Sequence, residues 1–188
     1  MCYSAQSSIS NYIYTTTVSL ILYLYGDKYD KHISLFTFVV IQMQLAEYFM
    51  WKDQKCGITN KLATIAARFI LFLQPLSIFL GAYLFDTMNI SNNTMIIISV
   101  IYTFSFVINL INYLLKNKKI CSLDKDGHLQ WHFFENKDYK ALPLTYILNI
   151  IQRIVYFAIF LFSWLFFYNT NLGIFFSLLT IIIFLFHY

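Results

Sequence analysis

Gln42-Met43-Gln44-Leu45-Ala46-Glu47-Tyr48 sets one carboxylate and two amides inside a run otherwise composed to sit in lipid. A carboxylate there can pair with a cation, take up a proton or hold a ligand. Within a membrane span it costs on the order of 2.5–3.5 kcal/mol on insertion scales, so it is expected to face a bundle interior and to have a partner. Arg68 and Arg153 are the cationic counterparts, and Gln44, Gln74, Asn109 and Asn149 supply neutral donors and acceptors. Two arginines against one carboxylate favour an anionic guest such as a phosphate, a carboxylate or a lipid headgroup. The competing structural reading has the arginines snorkelling to headgroups and Glu47 neutralising one of them.

Cys2 offers a second chemistry. Removal of Met1 would leave an N-terminal cysteine whose own amine can act as base, a known way to activate a nucleophile. His187, His132 and His128 fall on the same side of the predicted topology, so His187 or His132 could serve as base for an acyl-transfer or lipid-modifying reaction. No local signature of a cysteine enzyme accompanies Cys2, and an ordinary or palmitoylated thiol explains it equally. Cys121, His128 and His132, with Cys56, match none of the usual paired zinc-ligand spacings, so no metal is assigned. A potassium-channel filter, a glycine-rich nucleotide loop and a zincin helix are all absent from the sequence, and no cofactor is implied.

These side chains sit in a chain of 188 residues that is 59% hydrophobic and only 12% charged. A soluble domain carries about a quarter charged residues, so the composition is that of an integral membrane protein of one domain. The 20 Phe and 15 Tyr exceed what interfacial belts need, and with abundant Ile, Asn and Lys they suggest an AT-rich genome more than an aromatic binding site. The net charge of +4 does not form a basic stripe, which excludes a nucleic-acid footprint. Met1 to Ser10 lacks the positive region of a cleaved signal peptide, so the first apolar stretch is expected to be retained.

About 20 apolar residues cross the hydrocarbon core as a helix, and six stretches supply that length. They run from about Ser8 to Tyr25, Ile33 to Trp51, Leu62 to Phe85, Thr94 to Leu115, Pro143 to Tyr168 and Leu172 to Tyr188. The predicted fold class is thus all-α, a polytopic transmembrane helix bundle of about six spans. The first stretch carries Asn11, Thr15, Thr16, Thr17 and Ser19, which suits the inside of a bundle. At 1.5 Å of rise per residue, Glu47 lies about 6 Å from its helix end, Gln44 about 10 Å, Arg68, Asn109 and Asn149 about 9 Å, and Arg153 about 15 Å. They form one polar layer near one end, and the other half of the bundle is expected to be almost purely apolar. Gln74 lies deeper, at about 18 Å, directly before Pro75, whose missing N–H should kink the third helix.

Orientation is read from lysines. Lys52, Lys55, Lys61, Lys116, Lys118, Lys119, Lys125, Lys137 and Lys140 fall on the side of both termini, against Lys28 and Lys31 opposite. The positive-inside rule then makes both termini cytoplasmic and opens the polar layer to the cytoplasm. Cys2, Cys56 and Cys121 land on that reducing side, so no structural disulfide is expected. Asn89-Ile90-Ser91 and Asn92-Asn93-Thr94 match glycosylation acceptors on the outer side, though so short a loop beside the bilayer is expected to go unused. The polar connection 116–141 holds Asp126-Gly127, a hairpin turn pair, between Ile120–Leu123 and His128–Phe133, which predicts a small cytoplasmic β-hairpin flap packed on the helix ends.

Met1-Cys2-Tyr3-Ser4-Ala5 with Ser8, then Glu47, Cys56, Asn60, Ala63 and Thr64, and finally Gln74-Pro75, resembles a family of uncharacterised multi-pass membrane proteins of bacteria, protists and large DNA viruses. Its members begin Met-Cys-Trp-Ser-Ala or similar, and Tyr3 stands here in place of the more usual Trp. The resemblance covers roughly the first 80 residues and implies that Cys2, Ser4, Glu47, Asn60, Gln74 and Pro75 belong to one unit. The expected function is to bind or transport a small, anionic or lipid-headgroup molecule, with membrane lipid the one standing partner. An enzyme built on Cys2 and a purely structural or partner-binding membrane protein are the two alternatives.

Overall fold

The computed structural model describes residues 4–116, 120–125, 127–130 and 143–187. The described residues form six helices, α1 (Ala5–Tyr25), α2 (Lys28–Lys52), α3 (Ile58–Phe85), α4 (Asn92–Lys116), α5 (Pro143–Leu165) and α6 (Thr170–His187), and one antiparallel pair, β1 (Leu123–Lys125) and β2 (His128–Gln130). The helices coincide with the six apolar stretches, and α2 and α3 are long and apolar enough to cross a membrane. Asn92–Ile108, Ile154–Leu165 and Thr170–Leu179 are shorter apolar runs.

The starts of α2 and α3 lie five and four residues earlier than hydropathy places them, because polar caps extend these helices beyond their apolar runs, whereas α5 begins at Pro143 as expected. Asp27 opens α2 with a capping box: its carboxylate accepts from the N–H of Tyr29 and Asp30 at 2.8 and 2.9 Å, and Asp30 accepts from the N–H of Asp27. Such reciprocal bonds satisfy donors that the first helical turn cannot pair. The start of α3 is capped from a distance, since Asp53 reaches across the turn to accept from the N–H of Gly57 and of Asn60, each at 3.1 Å. A β-carbon on Gly57 would meet that carboxylate at 2.5 Å, so a side chain there would have to displace the Asp53 cap.

The expectation that α1 lies inside the bundle is overturned. Among the described residues α1 packs chiefly on α2, and its last turn sets Tyr23 edge-on against Phe85 of α3 at a centroid distance of 6.3 Å. Its contact face is made of small side chains: Ser8 and Ser19 are buried, and the Ser34 hydroxyl donates to the Ser19 carbonyl across the interface. Small residues let two helices approach closely. Thr17 points outward and satisfies its hydroxyl on the Ile13 carbonyl of its own helix, which is how such a residue is tolerated on an apolar face.

Two apolar clusters fill the interior. Ile78, Phe79 and Ala82 of α3 join Met88, Met95, Trp164 and Phe167 at one end. Met43, Ala46 and Met50 of α2 join Ala63 and Ala67 of α3, and Leu129 of the hairpin, at the other. The predicted hairpin is present, with Leu123 opposite Gln130 and Lys125 opposite His128. The first strand lies closer to the turn than the apolar run Ile120–Leu123 suggests, and Gly127 takes the positive φ of 79° that a tight turn needs. Leu129 is buried, so the flap sits down on α2 and α3 as an isolated hairpin must.

Cys56 and Cys121 are joined by a disulfide with Cα atoms 5.6 Å apart, and the expectation of no structural disulfide is thereby corrected. That expectation rested on compartment alone. The fold brings the α2–α3 turn and the irregular segment just before β1 into contact across 65 residues of sequence, which no spacing rule could show.

Candidate functional site

On α2, Glu47 shares a face with Met43, Ala46 and Met50 and is only 2% exposed. The cluster those three form with Ala63 and Ala67 sets the level of α3 that lies alongside, so Arg68 falls in the same layer as Gln44 and Glu47. Gln44 and Arg68 are half-buried, and none of the three is without a partner. Gln74 is buried one layer deeper. Its side-chain oxygen accepts from the Tyr156 hydroxyl of α5 at 2.6 Å, and its carbonyl accepts from Ser77 at 2.7 Å. Pro75 stays inside a helix that continues to Phe85.

The structure therefore brings Gln44, Glu47 and Arg68 to one level and links Gln74 to α5. Cys2 and His132 lie outside the described residues, as do the side chains of Asn109, Asn149, Arg153 and His187. Among the described residues no three of His, Cys, Asp and Glu gather to hold a metal ion.

Below Glu47 the layer is closed by a clasp centred on Asn60, which is fully buried. Its amide nitrogen stands within donating range of the carbonyls of Met50 at 3.1 Å, Asp53 at 3.0 Å and Ser122 at 2.7 Å. Its oxygen accepts from the Ser122 N–H at 2.8 Å and from the Thr64 hydroxyl at 3.3 Å. The Thr64 hydroxyl also stands 3.1 Å from that of Ser122. Gln54 adds a tie, accepting from the Asp124 N–H at 2.6 Å. One asparagine thus knits the end of α2, the start of α3 and the hairpin, beside the disulfide that joins the last two covalently.

The opposite end is not the purely apolar half that the sequence predicts. His32 of α2 is fully buried and shares a hydrogen bond between Nδ1 and the Thr87 hydroxyl at 2.5 Å. Phe167 and Trp164 pack on its ring at centroid distances of 5.0 and 6.2 Å. Gly81 makes room for it, since a β-carbon there would stand 2.2 Å from the imidazole. The loops close over it as backbone partners: Met88 bridges Phe167, the Asn89 N–H donates to the Phe166 carbonyl at 2.7 Å, and the Tyr168 N–H donates to the Thr87 carbonyl at 3.0 Å.

Sequence reasoning missed His32, Asp53, Ser122 and Tyr156. A histidine directly between Lys31 and Ile33 was a visible intramembrane polar signal, and Asp53-x-x-x-Gly57-x-x-Asn60 was a visible capping pattern. Ser122 and Tyr156 act through contacts 62 and 82 residues away, which no local pattern announces. No known protein family, curated protein or solved structure matches the chain.

Proposed function

We propose that the protein is an integral membrane protein, a bundle of six spans, whose polar layer binds or moves a small anionic or lipid-headgroup molecule. The observation that carries this is the burial of Glu47, only 2% exposed, in a bundle whose outward faces are apolar. On α4 alone, Ile96, Ile97, Val100, Ile101 and Phe104 are exposed, a continuous patch that water does not tolerate and lipid does. A buried charge set inside such a shell is by default a functional site. The guest's sign follows from Arg68 and Arg153, which outnumber Glu47. Gln44 and Gln74 would orient the guest, and the Tyr156–Gln74 bond would carry a change in the layer to α5.

The test is mass analysis of the detergent-purified protein for a co-purified phosphate- or carboxylate-bearing molecule, paired with thermal stability in its presence. We expect Arg68→Gln to abolish ligand-induced stabilisation and Glu47→Gln to change it, with each variant still purifying as a folded protein. A structural reading is favoured by one observation, the Asn60 clasp, in which a buried polar group serves only to fix three segments together. On that reading Glu47→Gln lowers yield and leaves every ligand effect untouched.

A further inference from the structure

We infer that the end of the bundle bearing the Cys56–Cys121 disulfide faces an oxidising compartment, so that the polar layer around Glu47 is served from the lumenal or external side. This rests on the membrane-spanning reading above and reverses the orientation that the lysines alone imply.

The disulfide is built into the fold. Cys121 is 2% exposed, and the next residue, Ser122, bonds to Asn60 through both its N–H and its carbonyl. Cys56 holds a left-handed backbone with φ of 60°, a conformation that costs a non-glycine residue about 1–2 kcal/mol. A free thiol gives no reason to keep cysteine there, whereas a bond to Cys121 does. Forming the bond takes two electrons and two protons from the two thiols. In secretory compartments a dithiol–disulfide oxidoreductase accepts them, its own disulfide becoming a dithiol, while cytosolic thiol systems keep such pairs reduced.

The lysine count weighs against this orientation but is the weaker constraint. Positive-inside is a graded bias of insertion that added charge elsewhere can overrule. Six of the nine lysines on this side lie in the single connection 116–140. Lys52, at the end of α2, already stands over the Tyr48 ring at 5.7 Å. In this orientation the two glycosylation acceptors at Asn89 and Asn92 lie at the opposite, cytoplasmic end and never meet the lumenal transferase.

The experiment uses the full chain expressed in eukaryotic cells, with Cys2→Ser and Lys125→Cys placing one thiol on the exposed turn of the hairpin. Sealed microsomes are treated with a membrane-impermeant maleimide before and after detergent. We expect labelling only after detergent, no alkylation of Cys56 or Cys121 until a reductant is added, two adducts afterwards, and no glycosidase-sensitive mass on the unmodified chain. Labelling of sealed vesicles, alkylation of both cysteines without reductant, or glycosylation at Asn89 or Asn92 overturns the inference. Alkaline extraction separates the two claims. A chain released from the membrane refutes the spanning reading and the inference with it, whereas a chain retained but labelled in sealed vesicles refutes the orientation alone.

Discussion

The two ends of the bundle are closed by different physics. At the hairpin end the ties are polar and covalent: Asn60 engages the carbonyls of Met50, Asp53 and Ser122, and Cys56 is bonded to Cys121. At the other end one buried histidine is enclosed by Trp164 and Phe167, and the loops hold each other by backbone pairing. Directional bonds fix a geometry closely but fail together when a central member is removed, because each abandoned partner is left buried and unsatisfied. Aromatic packing fails by degrees, according to how well neighbours collapse into the gap. The end beside Glu47 is thus the specified one, and the far end is a packed plug.

The sharpest way to break the contrast is Asn60→Ala. Losing the bonds to Met50, Asp53, Thr64 and Ser122 should cost about 3–5 kcal/mol, at roughly 1 kcal/mol each plus the orphaned groups. Thermal unfolding in detergent checks the size. Amide exchange at Ser122 and Asp124 should rise while Asn89 and Tyr168 stay protected; equal loosening at both ends would refute the division. Trp164→Ala tests the other end, with an expected loss of about 3 kcal/mol from the cavity left against Ile78, Phe79 and Phe176 and with exchange rising at Asn89 instead.

Gly81→Ala presses a methyl into the His32 ring and should cost about 1–3 kcal/mol by overpacking, again confined to that end. His32→Ala in the same chain should recover part of that loss by removing the clashing ring, and a failure to do so would remove the steric account. The smallest effect is expected for Tyr156→Phe, about 0.6–1 kcal/mol for one hydrogen bond within an apolar bundle. Any larger loss in ligand response than in stability would tie the Gln74 level to the site.

Legibility in the sequence divided along the same line. Helices were readable because apolar runs of helix length need no distant partner, and the hairpin was readable because Asp126-Gly127 carries its own turn chemistry. Glu47 and Gln44 stood out because charge and amide are costly in such runs. The ends of the helices were misplaced by several residues where Asp27 and Asp53 extend them, since hydropathy is blind to caps. The disulfide and the Asn60 clasp depend on where residue 122 meets residue 60, a matter of tertiary approach that no periodicity encodes. The inward placing of α1 fails for a related reason: hydroxyl residues in an apolar run suggest depth, whereas here Ser8 and Ser19 are the buried ones and mark one side of the helix.

The backbone bridge between Met88 and Phe167 also sets an order of biosynthesis. Four helices and both halves of the Asn60 clasp precede residue 123 in the chain, so the hairpin end can be completed early. The far end waits for Trp164 and Phe167, and until they arrive His32 and Thr87 are uncovered at the mouth of a half-built protein. A chain truncated within α5 would leave that buried polar pair without its aromatic cover, so the His32 end depends on the last part of the chain in a way that the Asn60 end does not.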